Sequence, residues 1–140
     1  MTEKTTRVDF YLISETTIEA RRLFACRLID KAYRQGHRIY VYVDEENAQS
    51  IDDQLWTFKD TSFIPHSLDN NALPVQVGYS TPSPEWNDLL VNLTQKTPTF
   101  FNQFQRVAEI APDEPAWRVH ARKQYRHYRD KGCELESHQL

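Results

Sequence analysis

Apolar residues fall in short dense runs, and the stretches between them repeat with a helical period. Residues 8–13 (VDFYLI) form the first run, apolar and aromatic, and predict a buried strand. Thr16 then stands three residues before Glu19, the spacing of a capping box. Phe24, Leu28 and Ala32 follow at steps of four beside Ala25, Ile29 and Tyr33, which predicts a helix closed by Gly36. Residues 38–43 (RIYVYV) are dense in β-branched and aromatic side chains and predict a second strand. In the stretch DEENAQSIDDQLW after it, Ala48, Ile51 and Leu55 share one helical face. Residues 74–79 and 89–93 read as two further strands around the turn-rich STPSPEWND, and residues 107–111 as a fifth. The segment PDEPAWRVHARKQYRHYRDKG predicts a last helix, with Pro112 and Pro115 near its start, acids in its first turn and Gly132 at its end. The residues beyond Gly132 show no such pattern and read as a frayed tail.

Strands and helices alternating with connections this short imply parallel strands, because a parallel crossover needs a dozen or more residues and takes them as a helix. The expected fold is therefore α/β, a single Rossmann-like domain over residues 1–140 with a mainly parallel central sheet flanked by helices. The chain's 140 residues, 39% hydrophobic and 26% charged, suit one domain with a real core. It has no run of about 18 apolar residues and no apolar run after the first charges, so a membrane span or signal peptide is not expected, and a cytoplasmic location is.

The chemistry of a nucleotide-binding domain is missing. Gly36, Gly78 and Gly132 are too scattered for GxGxxG or a P-loop, and the turn after the first strand is SETT. Ser14, Thr16 and Thr17 in that turn could meet an anion but more often cap a helix. The five histidines form no HxxxH pair, and the acids Asp44, Glu45, Glu46, Asp52 and Asp53 suit a helix start and a wet face. Cys26 lies in an apolar helical pattern and Cys133 reads as an exposed bystander. We expect no cofactor, no metal and no catalytic set. A net charge of −3 argues against a surface built for phosphate backbones, so any basic site is local.

That local site is the last helix. Residues 117–131 (WRVHARKQYRHYRDK) hold six of the chain's 17 basic residues and one acid. Arg118, Arg122, Arg126 and Arg129 line one stripe, with Trp117, Ala121, Tyr125 and Tyr128 on the stripe beside it. Arginines in register without acidic partners repel one another, which an ordinary solvated face avoids by mixing signs. The pattern favours recognition of an anion, since guanidinium groups hold carboxylates or phosphates bidentately. Acidic peptide and stacked single-stranded nucleic acid both suit it.

In order and spacing these motifs resemble the chi subunit of bacterial DNA polymerase III. The resemblance rests on the opening FYL strand with its Thr-rich turn, the DE-rich start of the second helix ending in Leu55 and Trp56, the segment Ser62-Phe63-Ile64-Pro65-His66 with Leu68 after it, and the closing RKQYRHYR. It covers about residues 7 to 132; the tail carries few of the apolar residues that wall the family's peptide pocket. The resemblance implies a non-catalytic accessory subunit of the clamp-loader assembly in DNA replication. It implies a heterodimer with the small psi subunit, and a separate site for the acidic C-terminal tail of single-stranded-DNA-binding protein, which ends in Pro-Phe. No direct DNA contact is expected. By position, Phe63, Ala111 and Tyr125 would form the apolar part of the tail site, Arg122 would face the terminal carboxylate, and Arg118 and Arg126 would meet the upstream acids. Trp56, Phe100 and Phe101 are candidates for an exposed apolar patch that contacts psi. The alternatives are an α/β nucleotide-binding module or enzyme, and a direct single-stranded nucleic-acid binder.

Overall fold

The structure is a computed structural model, and it describes residues 5–57, 66–67 and 73–140, with only the backbone at Trp56, His66 and Ser67. Phe63, and with it most of the SFIPH segment, lies outside the described residues. The chain runs β1 (Arg7–Leu12), α1 (Ile18–Arg34), β2 (Ile39–Tyr42), α2 (Ala48–Thr57), β3 (His66–Ser67), β4 (Val75–Gly78), β5 (Leu89–Asn92), β6 (Arg106–Ala111), α3 (Pro115–Asp130) and β7 (Glu134–Gln139). The strands form one seven-stranded sheet in the order β3-β4-β2-β5-β6-β1-β7, with each neighbouring pair parallel. The expected Rossmann-like α/β domain is what the chain forms.

A parallel sheet buries both faces, so its central strands are apolar on both sides. Ile29 of α1 and Leu55 of α2 pack with Ile39, Val41, Leu89 and Val91 on one face. On the other, α3 contributes Ala121 and Tyr128 to a layer with Val8, Phe10, Tyr40, Leu90 and Val107, roofed by Trp86 and Phe104. Arg38 lies over the Trp86 ring at 4.1 Å.

Three expectations change. The cap of α1 is Thr17 rather than Thr16: its hydroxyl accepts from the Ala20 N–H at 3.1 Å while its own backbone stays extended. Thr17→Ala should therefore cost about 1 kcal/mol in chemical denaturation and Thr16→Ala much less. Phe100 and Phe101 are only 7% and 8% exposed, so they do not supply an apolar patch for psi. Neighbours on one strand cannot both face inward, but here the backbone turns through a 3-10 helix over Phe101–Gln103. Phe100 meets Tyr42 edge-on at 4.9 Å and Phe101 meets Tyr128 at 5.2 Å. The side chain of Trp56, the third psi candidate, lies outside the description. Last, the residues after Gly132 are not frayed. Gly132, at φ 85°, turns the chain back into β7, which pairs with the whole length of β1.

Candidate partner-binding site

The last helix begins cleanly because Glu114 caps the Trp117 N–H at 3.1 Å and Pro115 occupies the first turn, where its missing N–H costs nothing. Its rotation about its own axis is set by what it buries. Ala121, Gln124 and Tyr128 face the sheet, and the Tyr128 hydroxyl donates to Glu109 at 2.6 Å. Arg118, Arg122 and Tyr125 are thereby carried to the flank that overlooks β1 and β7.

Between that flank and the sheet lies an open cleft of about 370 Å³. Phe10 and Leu12 of β1 and Ala121 make its apolar floor, with Tyr125 leaning on Phe10 at 5.6 Å between ring centres. Arg118 and Arg122 stand on one wall, and Ser137 and Gln139 of β7 close the other. Arg118 is partly committed: it donates to the Ile13 carbonyl at 3.0 Å and lies 3.6 Å from Asp113. Arg122 donates through Nε to the Arg118 carbonyl at 3.3 Å and otherwise faces solvent. An apolar floor with a guanidinium rim is chemically complementary to an apolar side chain adjacent to a carboxylate.

Of the residues expected in such a site, Arg118, Arg122 and Tyr125 meet at the cleft. Ala111 does not line it: it is buried at the end of β6, beside Leu12 in register. Arg126 is exposed on α3 but off the cleft wall. The aromatic row does not form a surface stripe. Ala121 and Tyr128 are buried, and Trp117 turns away beneath the Arg21 guanidinium, 4.5 Å from its ring centre. Phe10, Leu12, Ser137 and Gln139 were missed as site residues. β1 reads as a dense apolar run in which nothing singled out Phe10 and Leu12, and nothing local marked the two on β7.

At the carboxyl ends of β5 and β6, where doubly wound sheets hold ligands, Arg21 lies at the base of an open polar cleft of about 490 Å³ lined also by Arg22, Asp44, Asn47, Leu93 and Lys96. Arg21 is 4% exposed and donates to the carbonyls of Ile110 (2.8 Å), Leu93 (3.0 Å), Thr94 (3.3 Å) and Asn92 (3.4 Å). Burial lowers its pKa to about 10, which leaves it charged at neutral pH. Close by, Glu109 is buried beneath α3, where it accepts from Tyr128 and from Asn92 Nδ2 at 3.0 and 3.2 Å. Burial pushes its carboxyl up to about 7, against the pull of those hydrogen bonds and of Arg21.

This architecture defines an α/β domain with a basic and apolar cleft at one edge of its sheet. Comparison with known proteins defines the family. Residues 5–136 match the family described as DNA polymerase III chi subunit, HolC. The chain is 44% identical over 138 residues to DNA polymerase III subunit chi of Pseudomonas aeruginosa, spanning 96% of this chain and 97% of the relative. It is 28% identical to the Escherichia coli subunit of the same name, across 91% of this chain and 94% of that one, and 27% identical to that of Haemophilus influenzae, across 92% and 94%. The chain belongs to the chi subunit family of DNA polymerase III, an accessory subunit of the replication machinery. Among the described residues no helix is long and apolar enough to cross a membrane.

Proposed function

We propose that the chain is a non-catalytic adaptor that joins the clamp-loader complex, through the psi subunit, to single-stranded-DNA-binding protein, whose acidic C-terminal tail it binds in the cleft beside α3. It does this in the cytoplasm and without a cofactor. The observation that carries the reading is the union of Arg118 and Arg122 with the Phe10, Leu12 and Tyr125 floor, in one open cleft. A tail ending in Pro-Phe offers both halves of the complement, a ring for the floor and a carboxylate for the rim. Trp56, at the end of α2, stays the candidate contact for psi.

Fluorescence polarisation with a labelled ten-residue acidic peptide ending in Pro-Phe, beside a single-stranded oligonucleotide of equal charge, tests the tail site. The peptide should bind and the oligonucleotide should not. Affinity should fall as salt is raised from low to physiological strength, because exposed charges are screened over about 8 Å there. Equal binding of the oligonucleotide would instead favour direct nucleic-acid recognition, and absence of peptide binding would remove the tail site.

A further inference from the structure

The two ends of the sheet differ. At one, the described residues of β3 are His66–Ser67; at the other, β7 runs for six, Glu134–Gln139. β7 bonds to β1 through its even-numbered residues. The Glu134 N–H donates to the Thr6 carbonyl and the Leu140 N–H to the Leu12 carbonyl, both at 3.0 Å, and the alternation of a parallel ladder gives Glu136 and His138 the same role. Leu135, Ser137 and Gln139 therefore turn their N–H and C=O groups to the sheet's outer edge. Natural edges are usually blunted by charged side chains, above all Lys, by Pro or by a bulge. The sequence ELESHQ carries neither Lys nor Pro, its register with β1 is unbroken, and its two charges, Glu134 and Glu136, fall on one face of the strand.

The side chains sort the same way. Those of Ser137 and Gln139 line the cleft and Leu135 packs on the core beneath α3, so the side of β7 that faces the arginines is uncharged. Glu134 and Glu136, in register with Arg7 and Asp9, point to the opposite face. A six-residue strand spans about 20 Å at roughly 3.3 Å per residue. Arg118 and Arg129 lie eleven helical steps apart, about 16 Å at roughly 1.5 Å per residue. One extended peptide can run beside both.

We infer that β7 is a docking edge: an extended acidic tail whose terminal residue enters the cleft adds to the sheet as an eighth strand, bonded to the backbone of Leu135, Ser137 and Gln139. This rests on the cleft's being the tail site. With its carboxyl end near Arg118 and Arg122 and its upstream acids towards Arg126 and Arg129, the tail runs in the direction of β7 and extends the parallel sheet. Main-chain pairing supplies affinity, while the face of the edge supplies selection. Acids on the α3 side meet guanidinium groups and those on the other side meet Glu134 and Glu136, so a favoured tail carries its acids at alternate positions.

Two measurements with the same Pro-Phe peptide test this. In amide hydrogen exchange followed by NMR, the Ser137 and Gln139 N–H groups should slow at least about tenfold on saturation with peptide. In a backbone N-methyl scan of the peptide, methylation at alternate residues should weaken binding at least about tenfold and at the intervening ones much less. If the peptide binds but exchange at Ser137 and Gln139 is unchanged, or the scan shows no alternation, the strand-addition inference is wrong and the cleft reading stands. If the peptide does not bind at all, both fall.

Discussion

Replacing Arg122 with alanine is expected to weaken binding of the acidic Pro-Phe tail by about 2 kcal/mol or more, roughly thirtyfold, whereas Arg129→Ala should cost less than about threefold. The difference comes from what each guanidinium already does. Arg122 is on the cleft wall beside the apolar floor, and among the described residues it forms no ion pair. Arg118, its neighbour one turn back, is partly spent on Ile13 and Asp113. Arg129 lies 3.9 Å from Asp130 at the far end of the helix, with both side chains well exposed, and a rim charge changes association rate and salt dependence more than affinity. Arg122 contacts no core residue through its charge, so thermal unfolding of the variant should match that of the parent. Equal losses in a polarisation titration of the two variants would mean that the arginine row is a solvated face.

The second large effect is expected from Glu109→Gln, and it is one of stability against pH. Glu109 is buried under α3 with its carboxyl raised to about 7, well above the ordinary range of an unfolded glutamate near 4.3. A raised carboxyl binds its proton more tightly in the folded state, so stability is greatest below the unfolded value and declines as pH rises through the interval up to about 7. Over that interval Glu109 should remove about 3 kcal/mol from the unfolding free energy. Other groups titrate in the opposite sense. Asp9 is buried, yet hydrogen bonds from His138, Arg106 and Arg7 outweigh that burial and hold it below its usual value, which favours the folded state as pH rises. The comparison of parent with variant isolates Glu109, since glutamine keeps an acceptor for Tyr128 and Asn92. Urea denaturation at pH 5 and pH 8 should show the variant gaining on the parent at the higher pH; a constant difference between them would sink the prediction.

Most of the fold was legible in the sequence because most of its strands are buried on both sides and therefore read as dense apolar runs. β1, β2, β4, β5 and β6, with α1, α2 and α3 between them, follow that rule. β7 does not. ELESHQ has a single apolar residue, Leu135, and it is a strand because β1 offers it a backbone partner, a contact 127 positions away for Arg7 and Glu134. Phe100 and Phe101 were misjudged for a related reason: a strand's alternation does not hold across a 3-10 turn. Within the site, the i, i+4 spacing placed Arg118 and Arg122 on one flank, and Tyr125 joined them. Phe10, Leu12, Ser137 and Gln139 reach the cleft only through sheet pairing. Arg21 was hidden likewise: its apolar-looking helical position conceals a guanidinium spent on the carbonyls of Asn92 in β5, Leu93 and Thr94 just after it, and Ile110 in β6.

The sheet order has a consequence for how the chain is made. β1 leaves the ribosome first, yet both of its neighbours, β6 and β7, leave last, and its pairings to them span sequence separations of 99 and 127 residues. Contacts that distant make folding slow, because the loop must close before the pairing rewards it. The strands β4, β2 and β5 can assemble while synthesis continues, but β1 has to wait until residues 106–139 have been made. A nascent or truncated product that stops at Gly132 would lack β7 and leave β1 (RVDFYL) as a six-residue edge with Val8, Phe10, Tyr11 and Leu12 unprotected. Such an edge is open to pairing with any other unfinished copy, and aggregation is its expected fate.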